Sequence, residues 1–215
     1  MRVGRIVAGA VAALTLVGGG SFAAPTVKNN IEQGQKCESI KARLPIVHIA
    51  ETSVAILGDS YTAGDALEDR TKGWAYAVGS DLAGVGGTGF VNGGYCGNHT
   101  YGERLDGVLA LRPQTLIIQG GLNDWDTAEK VADAAAAVLE RADAVPRVLL
   151  FGPPDVPGRE NESLVDQALR AAVSLSDAEY VSGLDWDLEY LADNTHLTPA
   201  GHATFAAKVR KAITD

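Results

Sequence analysis

The sequence predicts an α/β fold with a mainly parallel β-sheet flanked by helices. Short apolar segments such as 53–57 (SVAIL) and 115–119 (TLIIQ) alternate along the chain with longer segments of helical periodicity. This alternation is typical of parallel sheets whose strands are connected by helices. Unusual polar residues follow directly after two of the apolar segments, at Gly58-Asp59-Ser60 and at 120–124. Ligands of such sheets bind beyond the carboxyl ends of the strands, so these positions are candidates for a functional site.

The remaining elements follow from the same patterns. A third buried strand is predicted at 148–151, ended by the glycine and prolines of 152–154, and a short strand at 179–181. Helical spacing predicts helices at 74–82, 104–111, 128–144, 164–175 and 199–213. Thr198 and Pro199 have the residue types that favour the start of the last helix.

The first 23 residues have the composition of a secretory signal peptide. Arg2 and Arg5 precede an apolar stretch at 6–17, and a glycine break at 18–20 precedes small residues. The stretch is too short for a membrane anchor, which needs about 20 apolar residues. We therefore expect cleavage after residue 23 or 24, a lead-in segment at 24–52 within a single domain of residues 24–215, and a secreted or cell-envelope location.

The net charge argues against nucleic acid as a partner, and the two cysteines indicate a disulfide. Removal of residues 1–23 takes away two arginines and no acid, which changes the formal charge from −9 to −11. Such a surface repels phosphate backbones, so nucleic acid is not expected as a partner. Cys37 and Cys96 are the only two cysteines. In an exported chain they most simply form one disulfide, and two buried free thiols are the alternative.

The histidines indicate which side chain could serve Ser60 as a base. Of the four, only His196 has an acid close by at a suitable spacing, Asp193 in the segment DNTHL. An aspartate three residues before a histidine on a turn can hold one ring nitrogen and leave the other free to accept a proton. His202 is predicted to pack or cap within the last helix, and His48 and His99 are assigned structural roles.

Two segments could supply hydrogen-bond donors to a negatively charged oxygen. Asn123, in QGGLND, follows a predicted strand and could turn its amide toward the edge of the sheet. The glycines of 84–90 (GVGGTGF) allow a backbone N–H to come close to a substrate. Each segment alone is more often an ordinary turn or loop.

Taken together and in this order, these segments resemble the signature blocks of the SGNH/GDSL hydrolase family. The resemblance covers roughly residues 53–213 and rests on Gly58-Asp59-Ser60, the glycines of 86–89, the segment 121–124 and the Asp193–His196 spacing. It implies a flavodoxin-like three-layer α/β/α fold and ester hydrolysis by a serine nucleophile.

By this resemblance Ser60 is the nucleophile, His196 the base and Asp193 the residue that orients it. The oxyanion hole would comprise the Ser60 N–H, the Asn123 side chain and a glycine N–H, for which Gly87 is favoured over two alternatives, Gly86 and Gly89. One departure from the family pattern is the segment 82–85 (LAGV), where the family has a clear apolar strand; here we expect that strand to be very short or missing.

The functional prediction is therefore a secreted serine esterase that acts on a small-molecule ester, a lipid ester or an acylated glycan. The alternatives are an acyltransferase that uses the same site and a catalytically silent binding protein on the same fold. The chemistry implies no cofactor and no metal. We expect a monomer with no stable membrane insertion after signal cleavage, and a pocket shaped by loops 90–103, 152–163 and 184–194.

Overall fold

Six strands form one sheet in the computed structural model, which describes residues 32, 34, 35, 37, 38, 46–51 and 53–215. The strands are β1 (Val47–His48), β2 (Val54–Gly58), β3 (Asp81–Gly84), β4 (Thr115–Gln119), β5 (Arg147–Pro154) and β6 (Glu179–Gly183). The helices are α1 (Ser60–Ala63), α2 (Trp74–Val78), α3 (Tyr101–Leu109), α4 (Ala128–Ala142), α5 (Glu162–Val173) and α6 (Pro199–Thr214).

The sheet has the order β1-β3-β2-β4-β5-β6, and every pair is parallel except β1 with β3. The five parallel strands have the order typical of flavodoxin-like folds, in which the first strand lies between the second and the third. The carboxyl ends of β3, β2 and β4 are therefore neighbours at one edge of the sheet. The predicted fold class is confirmed.

Two apolar cores cover the two faces of the sheet. Successive side chains of a strand point to opposite faces. Accordingly, Leu57 of β2 packs with residues of α3, α4 and α5, while Ile56 packs with residues of α1, α2 and α6. The result is the three-layer α/β/α arrangement that the family resemblance implies.

The segment 74–85 differs from the sequence prediction. The helix predicted at 74–82 ends at Val78, and the strand expected to be very short or missing is present as the four-residue β3. Gly79 follows the helix in an extended conformation, and Asp81 to Gly84 then pair in parallel with β2. Pairing with β1 on the other side adds to this, so backbone hydrogen bonds compensate for the weak strand character of the sequence DLAG.

Other helix and strand ends differ from the predicted positions by a few residues. Helix α3 begins at Tyr101 instead of residue 104 because Thr100 and Glu103 form a capping box ahead of it. Strand β5 continues to Pro154, through the glycine and prolines that were predicted to end it. Thr198 caps α6 as predicted, accepting a hydrogen bond from the Gly201 N–H at 3.1 Å.

Cys37 and Cys96 form the predicted disulfide, with their Cα atoms 5.1 Å apart. The bridge connects residue 37 to the loop that follows the glycines of 86–89. The predicted signal peptide lies outside the described residues. Within the described residues, none of the helices has the length and apolar character that crossing a membrane requires.

Candidate active site

Ser60 is the first residue of α1, directly beyond the end of β2. Asp59 caps this short helix, because its Oδ1 accepts the Tyr61 N–H at 2.9 Å. The first amides of a helix have no acceptor within the helix, so the N–H of Ser60 is left without one in α1. Ser60 is 7% exposed and is therefore largely buried at this turn.

Asp59 holds this turn, in agreement with the sequence interpretation. Its carboxyl is fully buried, and its Oδ2 has no hydrogen-bond partner among the described residues. Burial raises the pKa of Asp59 to about 6, against the lowering effect of the hydrogen bond from Tyr61. A carboxyl in this environment stabilises a backbone turn and has no acceptor role toward an imidazole.

Asp193 and His196 are in direct contact. The ring Nδ1 of His196 lies 2.6 Å from Asp193 Oδ2, and since an ionised carboxylate can only accept, the Nδ1–H is the donor. Asp193 Oδ1 also accepts the N–H groups of Thr195 and His196, at 3.0 and 2.9 Å. Partial burial opposes ionisation, but these hydrogen bonds, that of the His196 ring first, lower the pKa of Asp193 to about 2.

A single hydrogen bond connects the histidine loop to the serine helix. The Tyr61 hydroxyl donates to the Thr195 carbonyl oxygen at 2.5 Å. Tyr61 follows Ser60 and Thr195 precedes His196, so this bond fixes the two segments against each other. Tyr61 is fully buried and packs edge-on against Phe205 of α6.

The other histidines have different surroundings. His202 is buried, its Nδ1 accepts the Trp74 N–H at 3.4 Å, and burial lowers its pKa to about 4. His48 contacts a carboxylate that sequence analysis did not find, because Nδ1 lies 2.7 Å from Asp81 Oδ1 on the neighbouring strand. That pair lies at the start of β3, away from the edge that carries Ser60.

Asn123 and Asp124 occupy a turn of 3₁₀-helix at Leu122–Asp124, just beyond β4. The Asn123 Nδ2 donates one hydrogen bond, to the Thr88 carbonyl oxygen at 2.9 Å. An amide nitrogen carries two hydrogens, so the second remains available.

Asp124 is fully buried and its two oxygens accept three backbone N–H groups. These are the N–H groups of Phe90, Val91 and Asn92, at 2.8, 3.0 and 2.9 Å. Burial nevertheless raises the pKa of Asp124. The carboxylate fixes the loop that follows the glycines against the turn that carries Asn123.

Within the glycine run, Gly86 approaches Ser60 most directly. A Cβ atom added to Gly86 would lie 3.7 Å from Ser60 Cβ and would collide with the Asp65 carboxylate. A Cβ added to Gly87 would instead meet the ring of Tyr95 at 3.3 Å. At Gly89 it would collide with the Asp124 carboxylate, on the side of the loop that the carboxylate holds.

Arg104 connects these segments, and sequence analysis did not identify it. Its buried guanidinium donates to the carbonyl oxygens of Gly58, Ala83 and His99 and to the Thr88 hydroxyl, at 2.5 to 3.0 Å. Burial lowers the pKa of Arg104 to about 10, so the side chain stays charged at neutral pH. It joins the ends of β2 and β3 to the glycine run. No local sequence signal marks it, because it is one arginine of an ordinary helix.

A cavity of about 440 Å³ lies next to the turn that carries Asn123 and Asp124. It is lined by Trp125 and residues 157–160. Part of its lining comes from the predicted loop 152–163, whereas Trp125 was not expected. Of the aromatic residues in the other predicted loops, Phe90 and Tyr101 are buried in the core and Tyr95 is 45% exposed. Within the described residues, no group of three metal-ligating side chains forms a site.

The sequence profile of the GDSL-like Lipase/Acylhydrolase family matches residues 56–204. The chain belongs to this family. The match includes both the serine turn and the Asp193–His196 segment. No curated protein sequence matches the chain.

Solved structures with the same fold are distant in sequence. A carbohydrate acetylesterase from Sinorhizobium meliloti, Est24, is 16% identical with a TM-score of 0.65 and aligns over 76% of this chain and 99% of its own. An aryl esterase from M. smegmatis is 16% identical with a TM-score of 0.61, over 76% and 98%. A catalytic mutant of Axe2, an acetylxylan esterase from Geobacillus stearothermophilus, is 16% identical with a TM-score of 0.56, over 79% and 97%. At these identities the likeness shows a shared fold.

Proposed function

We propose that this protein is a secreted serine esterase in which Ser60 is the nucleophile, His196 the general base and Asp193 the residue that orients it. The observation that carries the proposal is the 2.6 Å contact between Asp193 and His196 Nδ1. It leaves Nε2 of His196 as the proton acceptor. The Tyr61–Thr195 hydrogen bond supports the proposal further, because it connects the residue after Ser60 to the residue before His196.

The proposed reaction has two stages, acylation of Ser60 and hydrolysis of the acyl-enzyme. Ser60 Oγ attacks the carbonyl carbon of the ester while His196 Nε2 takes its proton, giving a tetrahedral intermediate. The intermediate collapses, the alcohol departs with the proton from His196, and the acyl group remains on Ser60. A water molecule, deprotonated by His196, then attacks the acyl-enzyme to give a second tetrahedral intermediate. Its collapse breaks the bond to Ser60 Oγ, which takes the proton back from His196 as the carboxylic acid leaves. Asp193 stays ionised throughout, since the hydrogen bonds from His196 and its neighbours keep its pKa at about 2.

The negative oxygen of each intermediate needs preorganised donors. We assign this role to the Ser60 N–H, the second hydrogen of Asn123 Nδ2 and the N–H of a glycine. The positions of the added Cβ atoms favour Gly86 over Gly87 as that glycine. A Cβ on Gly86 would lie 3.7 Å from Ser60 Cβ, whereas the atoms nearest to one on Gly87 belong to Tyr95 and Gly94. The bonds of Thr88 with Asn123 and of Arg104 with Thr88 would hold the donors in place before substrate binds.

We propose an acylated glycan outside the cell as the substrate. Two of the structural neighbours are named as a carbohydrate acetylesterase and an acetylxylan esterase, which supports acetyl groups on sugars as the ester class. The basic, apolar and small-residue pattern of residues 1–23 supports export. The disulfide between Cys37 and Cys96 supports an oxidising compartment.

The test is a substrate panel with the mature chain. It combines 4-nitrophenyl esters, from acetate to laurate, with acetylated glycans, and it measures both free acid and any acyl group transferred to added alcohol. We expect hydrolysis of acetyl esters, faster than of long-chain esters, and loss of activity in Ser60→Ala with an unchanged melting temperature. A Ser60→Ala variant that keeps a tenth of the wild-type rate would overturn the mechanism. Transfer in place of hydrolysis would reassign the chain as an acyltransferase.

A further inference from the structure

The cavity beside the candidate active site has features that ester chemistry does not require. One wall is Trp125, which follows the Asn123–Asp124 turn and is 41% exposed. The rest of the lining is formed by residues 157–160 of the loop between β5 and α5. An exposed tryptophan beside a polar wall is suited to an amphipathic ring such as a sugar.

The cavity borders both halves of the proposed catalytic machinery. Trp125 lies two residues after Asn123. Gly158 donates its N–H to the Asn194 carbonyl oxygen at 2.7 Å, and a Cβ atom on Gly158 would lie 2.6 Å from Thr195 Oγ1. The wall that contains Gly158 is therefore in contact with the loop that carries Asp193 and His196. A substrate whose ester reaches Ser60 has this cavity as its immediate surroundings.

Arg159 is the basic residue in the lining, and its guanidinium has little to bind within the protein. Its Nε is buried and has no hydrogen-bond partner, and Nη1 reaches only the Gly158 carbonyl oxygen at 3.4 Å. Among the described residues it belongs to none of the ion pairs. Its charge acts on buried Glu162, but desolvation still raises the pKa of that carboxyl.

A buried donor without an acceptor is costly, which makes an unpartnered Nε–H unusual in a structural arginine. Because the buried Nε is closed to a ligand, the two terminal Nη nitrogens are the edge of the guanidinium that can bind a carboxylate through two parallel hydrogen bonds. The formal net charge of the chain is −9. Among the described residues, Arg159 nevertheless has no carboxylate within ion-pair distance, and it is therefore suited to one supplied by a ligand.

We propose that Trp125 and Arg159 form a subsite for a sugar ring that carries a carboxylate, so that the preferred substrates are acyl esters of uronic-acid-containing glycans. This inference rests on the proposed function, because it places the subsite beside Ser60. Trp125 stacks on the ring and Arg159 binds its carboxylate. Glu160 in the same lining opposes the binding of an anion by charge repulsion, which limits the preference without removing it.

The test compares two probes that differ in one group: acetylated methyl glucuronide and acetylated methyl glucoside. We expect wild type to have the higher kcat/KM for the glucuronide. Arg159→Gln should reduce the ratio of the two values by about 10- to 100-fold, the usual loss when a charged hydrogen bond is removed. Arg159→Lys should reduce it less, because it keeps the charge and loses the fork. Glu160→Gln should raise the ratio.

Two further variants separate this effect from general damage. Arg141→Gln removes an equal charge from an exposed ion pair with Asp106, between α3 and α4, and should leave the ratio unchanged. Trp125→Ala should lower kcat/KM for both sugars by a similar factor, since both present a ring. A wild-type ratio of one or less, an equal effect of Arg159→Gln on both probes, or no hydrolysis of the glucuronide would overturn the subsite.

Failure of the subsite and failure of the proposed function give different results. Hydrolysis of 4-nitrophenyl acetate depends on Ser60 but presents no sugar and no carboxylate. If wild type cleaves it and Ser60→Ala does not, the esterase proposal stands whatever the sugar ratio shows. If neither cleaves it, the esterase proposal fails, and binding of free methyl glucuronide and methyl glucoside by calorimetry then decides whether Arg159 selects a carboxylate.

Discussion

Two histidines among the described residues have a carboxylate on Nδ1, and we propose only one of them, His196, as the base for Ser60. In the His196–Asp193 pair the distance is 2.6 Å, and in the His48–Asp81 pair it is 2.7 Å. The contact geometry is thus nearly identical. What differs is the position in the fold: residues 193–196 lie beyond the carboxyl edge of the sheet, whereas His48 and Asp81 pair between β1 and the first residue of β3.

The surroundings of the two carboxylates differ as well. Asp193 accepts two backbone N–H groups besides the imidazole, which fixes the ring and its loop together. Asp81 accepts only the Ser80 hydroxyl in addition to the ring of His48, whose side chain is 57% exposed. A histidine–carboxylate contact therefore does not identify a catalytic base. Our proposal of His196 as the base depends instead on the position of its loop beyond the carboxyl edge of the sheet, the edge at which Ser60 lies.

The largest expected difference is between His196→Ala and His48→Ala. Loss of a triad histidine lowers kcat by about 10⁴- to 10⁶-fold, because no group then accepts the serine proton. His48→Ala should keep kcat within about twofold, since an exposed pair contributes little. Steady-state kinetics on 4-nitrophenyl acetate measure both. Equal losses in the two variants would contradict the assignment of the base.

Replacement of the two partner carboxylates, Asp193 and Asp81, should also have very different effects on kcat. Asp193→Asn keeps a similar shape but favours the wrong tautomer of His196, and the corresponding change in serine proteases costs about 10⁴-fold in kcat. Asp81→Asn should leave kcat nearly unchanged. Melting temperatures recorded alongside the kinetics show whether either loss comes from unfolding. If Asp193→Asn kept full activity, Asp193 would be a turn residue only.

Asn123→Ala tests the oxyanion assignment. Loss of one oxyanion donor lowers kcat by about 10²- to 10³-fold with a modest change in KM, because the donor acts mainly after the carbonyl oxygen gains charge. Kinetics normalised to folded protein give this value. A variant that melts early yet turns over normally per folded molecule would make Asn123 a structural residue.

Asp124→Ala is the neighbouring control. Its carboxylate accepts three backbone N–H groups, so its loss should lower the free energy of unfolding by roughly 3 kcal/mol or more. Urea denaturation measures that loss. Activity per folded molecule should fall far less than in Asn123→Ala, and the reverse ranking would exchange the roles of the two residues.

The smallest expected effect is the pH dependence of the stability that the His48–Asp81 pair contributes. The hydrogen bond with Asp81 raises the pKa of His48, so this pair contributes stability that is fully present below the unfolded pKa of about 6.5 and is lost as pH rises through the folded value. The melting temperature of wild type should therefore exceed that of His48→Ala more at about pH 5.5 than at about pH 8.5. A difference that grows with pH would contradict this sign.

Contacts that are local in sequence were predictable, and those between distant segments were not. The Asp193–His196 contact spans three residues, and the apolar segments of β2 and β4 end visibly at their polar turns. The His48–Asp81 contact spans 33 residues and depends on the register of β1 with β3. Arg104 and Arg159 have no sequence signal, because their roles arise only once separate loops pack around them.

Strand β3, which the sequence predicts to be very short or missing, also depends on contacts between distant segments. Asp81 to Gly84 have a weak preference for strand, since aspartate and glycine are disfavoured there. The neighbouring strands on both sides, β1 and β2, form backbone hydrogen bonds with β3, and this pairing could not be predicted from the sequence of residues 81–84 alone. Local propensity was overridden by pairing between segments that are distant along the chain.

The central claim is that Ser60 is a nucleophile activated by His196, and covalent labelling tests it most directly. Wild type, His196→Ala and His48→Ala are each treated with a 4-nitrophenyl alkylphosphonate, and the modified peptide is located by mass spectrometry. The account predicts one adduct, on Ser60, formed at similar rates in wild type and His48→Ala and far more slowly in His196→Ala. An adduct on another residue, or equally fast labelling without His196, would contradict it.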